Sequence, residues 1–137
     1  MIGLVIFAHE NLGDALMRCV THVLGARPPL FESFAIGSRD DAFSLLPQAR
    51  KLISSMDQGE GVLILSDVYG ATPCNLACKL IVPGRVEVVA GISLPMLVRS
   101  FTYRDKGLAT MVSKAVSGGR DGVLHVEPSP LHATART

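Results

Sequence analysis

Two unbroken apolar stretches, Ile2-Gly3-Leu4-Val5-Ile6-Phe7-Ala8 and Val62-Leu63-Ile64-Leu65, constrain this chain more than any other feature. A strand with one solvated face alternates apolar and polar residues. A run without a polar position needs cover on both faces. Each run stops at a polar residue, His9 in the first case and Ser66-Asp67 in the second. Between them the period changes. Leu12, Ala15, Leu16, Cys19, Val20 and Val23 recur at helical spacing and predict an amphipathic helix over 12–24. Asn11 stands at its N-cap, Asp14 in a capping-box-like position and Gly25 at its C-terminal stop. Doubly covered strands alternating with amphipathic helices define an α/β domain: an open, doubly wound, mainly parallel sheet with helices on both faces.

The remaining segments extend the pattern. Pro28-Pro29 opens a strand over 30–36. Pro47 falls inside the next helical stretch, so a short turn at 40–45 and a main helix over 46–56 are expected. Thr72 as N-cap and Pro73 at the first helical position start a helix that runs to about Ile81. A strand over 86–92 and helices over 94–103 and 107–117 follow, the last ended by Gly118-Gly119. Val123-Leu124-His125-Val126-Glu127 alternates, as an edge strand does. One domain over 1–127 is therefore expected, with a flexible C-terminal tail over 128–137.

Composition excludes several classes. Residues are 48% hydrophobic and 18% charged, which is incompatible with intrinsic disorder and leaves apolar surface for a partner. A net charge of +1 gives no single-sign field, so neither nucleic acid nor an anionic membrane is an expected partner. No apolar run approaches the ~20 residues of a membrane span. The N-terminal run lacks the basic flank and small-residue cleavage site of a signal peptide. A cytoplasmic location without direct membrane insertion is expected. Cys19, Cys74 and Cys78 have no metal-ligand spacing and are expected to be small apolar packing residues. No metal site and no cofactor are anticipated, because neither a ligand cluster nor a nucleotide-binding glycine loop is present.

In open parallel sheets, ligands bind beyond the carboxyl ends of the strands, where the strand order reverses. That rule selects His9, Asp67 with the loop Val68-Tyr69-Gly70-Ala71-Thr72, and Gly91-Ile92-Ser93. If the chain turns back after its first two strands, His9 and Asp67 face each other. A carboxylate on one imidazole nitrogen fixes the tautomer and leaves the other nitrogen as nucleophile or base. Helix N-termini near Asn11 and Thr72 suit an anion, a phosphoryl group among them. Spacing alone leaves a nucleophilic and a binding histidine equally open. His22, His125 and His132 fall on solvated faces or in the tail.

At these positions the chain resembles the cytoplasmic IIA domain of the mannose-type (mannose/fructose/sorbose) sugar phosphotransferase system. The resemblance covers about residues 1–127 and rests on Ile6-Phe7-Ala8-His9, Gly61 to Asn75, Val88 to Leu97, and Gly119-Arg120-Asp121-Gly122-Val123. It implies a phosphotransferase in the sense of a stoichiometric carrier. His9 would accept a phosphoryl group from the phosphocarrier protein HPr, and Asp67 would orient the ring. Gly70, Ala71 and Thr72 would hold the phosphoryl oxygens, with Glu10, Tyr69 and Ser93 on the rim. It also implies a sheet in the order 2-1-3-4, with an antiparallel edge strand exchanged in a homodimer. No IIB domain follows in this sequence, so a separate IIB component or a regulatory target is the expected recipient.

Three positions depart from the family pattern. Glu10 stands where glycine is usual, Ser93 where asparagine is common and Ala71 where glycine is common. If position 10 needs a positive φ, glutamate is costly there. Its carboxylate would also repel a phosphoryl group on His9. Glu10 thus motivates an alternative: a regulatory binding module that keeps the fold and is not phosphorylated. A small hydrolase built on the His-Asp pair lacks a nucleophile at the site.

Overall fold

The fully apolar run at the N-terminus becomes a central strand. A computed structural model describes residues 1–128. The order is β1 (Gly3–His9), α1 (Leu12–Leu24), β2 (Phe31–Ile36), α2 (Ala42–Met56), β3 (Val62–Ser66), α3 (Thr72–Cys78), β4 (Val86–Ala90), α4 (Leu94–Thr102) and α5 (Leu108–Asp121). The four strands are all parallel and lie in the order β2-β1-β3-β4. Leu4, Ile6 and Ala8 of β1 enter one core layer with Leu63, Leu65, Val89, Met17, Val20 and Leu97. Val5 and Phe7 enter the other, with Ile64, Ile53, Leu76 and Ala77. Successive side chains point to opposite faces, so a strand with helices on both sides has no position left for a polar residue. Each buried Val, Leu, Ile, Phe or Met side chain among them contributes roughly 1.5–3 kcal/mol on burial.

A buried arginine ties the amino edge of this sheet together. Arg104 donates from Nε to Ile2 O at 2.8 Å, and from its two terminal nitrogens to Pro29 O and Leu30 O, each at 2.6 Å. Burial pushes its pKa down. Among the described residues no helix is long and apolar enough to cross a membrane.

Several sequence expectations are corrected. In α1 the side chains that face the core are Gly13, Met17 and Val20, while Leu12, Cys19 and Val23 are exposed. A Cβ on Gly13 would lie 2.9 Å from Ser33 Cβ, so the helix touches β2 at its smallest residue and is rotated accordingly. The helix α2 is continuous through Pro47, because Asp41 starts it earlier than expected. Its carboxylate accepts from Ser44 N at 2.9 Å and Ser44 Oγ at 2.8 Å, which offsets the one backbone bond the proline cannot make. The N-cap of α3 is Ala71 rather than Thr72, since Asn75 N–H already closes onto Ala71 O at 2.9 Å. That helix ends at Cys78, where shorter-range bonds from Lys79 N to Leu76 O and Leu80 N to Ala77 O turn the chain.

Gly118-Gly119 lies inside α5 and does not end it. A Cβ at Gly118 would sit 2.8 Å from Arg99 Cβ and 3.1 Å from Pro95 O, so the glycine serves the close approach of α4 and α5. Of the cysteines only Cys74 is a buried packing residue; Cys19 and Cys78 are exposed. Residues 123–127 form no strand within the chain, and Val123, Leu124 and Val126 are 82%, 76% and 73% exposed. A strand needs an edge to take its hydrogen bonds, and among the described residues of the single chain this segment pairs with none. The tail, apart from Pro128, lies outside the described residues.

Candidate functional site

The strand order reverses between β1 and β3, which are direct neighbours. The chain leaves β1 into α1, in one core layer, and leaves β3 into α3, in the other. The carboxyl ends of the two strands therefore open onto a cleft, and His9 and Asp67 stand on its two sides.

One carboxylate oxygen fixes the histidine. Asp67 Oδ2 lies 2.7 Å from His9 Nδ1 and accepts the His9 backbone N–H at 2.9 Å. The other oxygen accepts from Val68 N at 2.8 Å. Burial works to raise the Asp67 pKa, but the hydrogen bonds from the His9 backbone, the His9 ring and the Val68 amide outweigh it and hold the carboxyl below the usual aspartate range. An ionised carboxylate only accepts, so the bonded Nδ1 carries the proton in the neutral ring. Nε2 is then the nitrogen with a free lone pair. The Asp67 side chain is 7% exposed and that of His9 44%, so the carboxylate is sheltered while the ring meets solvent.

The loop after Asp67 is built to stay open. Tyr69 is 82% exposed and Val68 is exposed as well. Gly70 has φ 88°, a left-handed conformation that glycine adopts without strain, and its carbonyl accepts from Asn75 Nδ2 at 3.3 Å. Ala71 N closes the turn onto Val68 O at 3.3 Å. Thr72 follows as the first residue of α3, half-buried. Neither α1 nor α3 has a side-chain cap, so among the described residues the first-turn amides beside His9 and after Gly70 have no capping acceptor. By contrast α2 and α4 are capped by Asp41 and Ser93.

The third corner joins the same framework. Gly91 N–H reaches Ser66 O at 2.9 Å and Asp67 O at 3.1 Å, which binds the end of β4 to the Asp67 backbone. Ser93 lies two residues on, its hydroxyl accepting from Met96 N at 3.3 Å. Glu10 does have the left-handed backbone that favours glycine, with φ 51°. Its carboxylate accepts from Ser38 N at 3.0 Å, in the loop after β2. Ser38 and Asn75 were not singled out from sequence. Asn75 closes the Gly61-to-Asn75 motif, which was the available signal; Ser38 gave none. His22 and His125 are exposed and outside the cleft, His125 pairing with Glu127 at 2.9 Å.

A doubly wound domain with a carboxylate-held, solvent-facing imidazole at its switch point offers a ring nitrogen that can act as a nucleophile or as a base. Residues 3–116 match the family model described as PTS system fructose IIA component (EIIA-man), and the chain belongs to this family, the mannose-type IIA components of the sugar phosphotransferase system. It is 30% identical over 138 residues to the mannose-specific EIIAB component of that system from Escherichia coli strain K12, an alignment covering 98% of this chain and 42% of that protein. The chain thus spans about two-fifths of that relative. The mannose/sorbose-specific IIA subunit from Enterococcus faecalis superposes with a TM-score of 0.82 at 17% identity, covering 93% of this chain and 96% of the other. The EIIA component from Streptococcus agalactiae gives 0.80 at 19% identity, over 91% and 97% of the two chains. These likenesses establish the shared fold.

Proposed function

We propose that this chain is a phosphoryl carrier that takes a phosphoryl group from HPr on Nε2 of His9. It then passes the group to a IIB-type acceptor or displays it as a regulatory signal. The observation that carries this reading is the 2.7 Å contact between His9 Nδ1 and Asp67 Oδ2 at the switch point. It leaves Nε2 as the attacking atom. A P–N bond forms there as the bond between phosphorus and the donor atom breaks, the electron pair staying with the donor. The Nδ1 proton remains on the ring, and Asp67 stabilises the imidazolium that results. No side chain has to shuttle a proton across the interface, so the chemistry is positioning and charge stabilisation.

The open backbone at Gly70, Ala71 and Thr72 is the proposed seat for the phosphoryl oxygens. Tyr69, Glu10 and Ser93 form the rim that meets the partner protein. The carrier role places the chain in the cytoplasm, as a domain over 1–127 followed by the tail. The exposed Val123, Leu124 and Val126 favour a homodimer in which segment 123–127 pairs with the outer edge of the partner's β4, beyond Val86, which already bonds Val82.

The non-phosphorylated binding module remains the second reading, and Glu10, next to His9 in the chain with its carboxylate held by the Ser38 N–H, is the observation in its favour. Intact-mass measurement after incubation with Enzyme I, HPr and phosphoenolpyruvate separates the two. The carrier gains one acid-labile phosphoryl group, and His9→Ala does not. A wild-type chain that gains nothing, beside an HPr control that is phosphorylated, is the binding module.

A further inference from the structure

His9 has a carboxylate on either side. Asp67 flanks it from β3 and is consumed by His9 itself, through two hydrogen bonds. Glu10 flanks it toward β2. In the sheet register His9 pairs with Ile36, and Ile36 O accepts Glu10 N–H at 2.9 Å. Two residues beyond Ile36, Ser38 N–H holds the Glu10 carboxylate at 3.0 Å. That carboxylate makes no bond to the His9 ring. It is exposed, and among the described residues no cation pairs with it. The backbone that places it there has φ 51°, a conformation that costs a non-glycine residue of order 1 kcal/mol. Glycine would avoid that strain and remove the charge at once. A glutamate kept in a strained backbone, with its charge tied one residue from the reacting ring, points to a use for the charge.

We propose that Glu10 sets the phosphoryl-transfer potential of His9: its fixed negative charge raises the free energy of the phosphorylated ring, making the chain a weaker acceptor and a stronger donor. This rests on the carrier reading above. The PO3 unit moves from the donor atom to Nε2, the donor keeping the electron pair of the broken bond, and Glu10 takes part in neither bond. Its effect is on the charge of the product. Because the donor keeps the bonding pair, the product gains a net charge near −1, a phosphoryl group near −2 on a ring that has become an imidazolium, one residue along the chain from the Glu10 carboxylate. Repulsion between unit charges about 4–8 Å apart in water changes the equilibrium constant by about 2- to 5-fold. Because both groups face solvent, salt must screen it. The Debye length falls from about 10 Å at 0.1 M to about 3 Å at 1 M.

Two variants separate charge from structure. Glu10→Gln keeps an acceptor for Ser38 N–H and removes the charge; Glu10→Gly removes both and relaxes the backbone. Each full-length chain is mixed with a known excess of phospho-HPr in the absence of Enzyme I and phosphoenolpyruvate. The phosphorylated fraction at equilibrium is then read by intact mass, in about 20 mM and 1 M salt. Glu10→Gln is expected to favour the phosphorylated chain by about 2- to 5-fold at low salt, with the gain vanishing at high salt. Glu10→Gly is expected to gain at least as much. Equal fractions in wild type and Glu10→Gln at low salt, or a difference that salt does not alter, overturn the proposal and leave the carrier reading standing. A wild-type chain that takes no phosphoryl group overturns both.

Discussion

Asp67 holds His9 twice through a single oxygen, Oδ2, which accepts the backbone N–H at 2.9 Å and meets ring Nδ1 at 2.7 Å. The first contact fixes where the residue sits at the end of β1, and the second fixes how its ring is turned. One carboxylate therefore determines both the position and the tautomer of the proposed nucleophile.

Removing that carboxylate should separate chemistry from folding. Asp67→Ala is expected to slow phosphoryl transfer from HPr by about 10- to 100-fold, the worth of one charge-assisted hydrogen bond in the transition state. The stability cost should stay near 1–2 kcal/mol, because Asp67 lies beyond the end of β3 and outside both core layers. Rapid-quench kinetics and urea unfolding measure the two quantities. Wild-type transfer rates would remove Asp67 from the mechanism.

The same carboxylate gives a pH dependence with a definite sign. Its pKa is below the unfolded value of about 3.9, so the native state binds the proton less readily than the unfolded chain. The stability it contributes is fully present above about pH 4 and is lost as pH falls through the folded value. Asp67→Asn should therefore be less stable than wild type at pH 6, and the gap should narrow by pH 3. Urea midpoints at the two values check this; a gap that widens on acidification contradicts it.

Adjacent glycines in α5 should respond differently to the same methyl group. At Gly118 the new Cβ meets Arg99 Cβ at 2.8 Å and the Pro95 carbonyl at 3.1 Å, and a backbone carbonyl cannot yield without moving α4. At Gly119 the nearest atom, at 2.8 Å, is the end of the flexible Met96 side chain. Gly118→Ala is expected to destabilise by about 1–3 kcal/mol and Gly119→Ala by less. Equal losses would place the α4–α5 contact elsewhere.

The apolar residues after α5 predict an assembly. Leu124→Asp combined with Val126→Asp should shift sedimentation toward the monomer if segment 123–127 pairs with a second chain. Secondary structure by circular dichroism should stay unchanged, since these residues touch neither core layer. Sedimentation identical to wild type would remove the segment from the interface.

Much of this molecule can be read from residue pattern because its strands are covered on both faces. An unbroken run such as Ile2 to Ala8 reads as a strand covered on both faces, and its ending at His9 points to the candidate site. The errors fall where a small residue or a remote contact decides. Gly13 turned α1 away from its most apolar stripe, since close approach to Ser33 outweighed the burial of Leu12 and Val23. Gly118-Gly119 resembles a helix stop because the same residue that frees the backbone also permits close packing. Arg104 binds carbonyls more than seventy residues away, and no local pattern encodes that. The positive φ of Glu10 was legible only as a departure from glycine; its partner Ser38 was not legible at all.

The most direct test of the account is the site of attachment on the ring. After phosphorylation by Enzyme I, HPr and phosphoenolpyruvate, long-range proton–nitrogen NMR of 15N-labelled chain distinguishes the two imidazole nitrogens of His9. The account predicts phosphorus on Nε2, with Nδ1 still protonated and bonded to Asp67. Phosphorus on Nδ1, or on any residue other than His9, would contradict it.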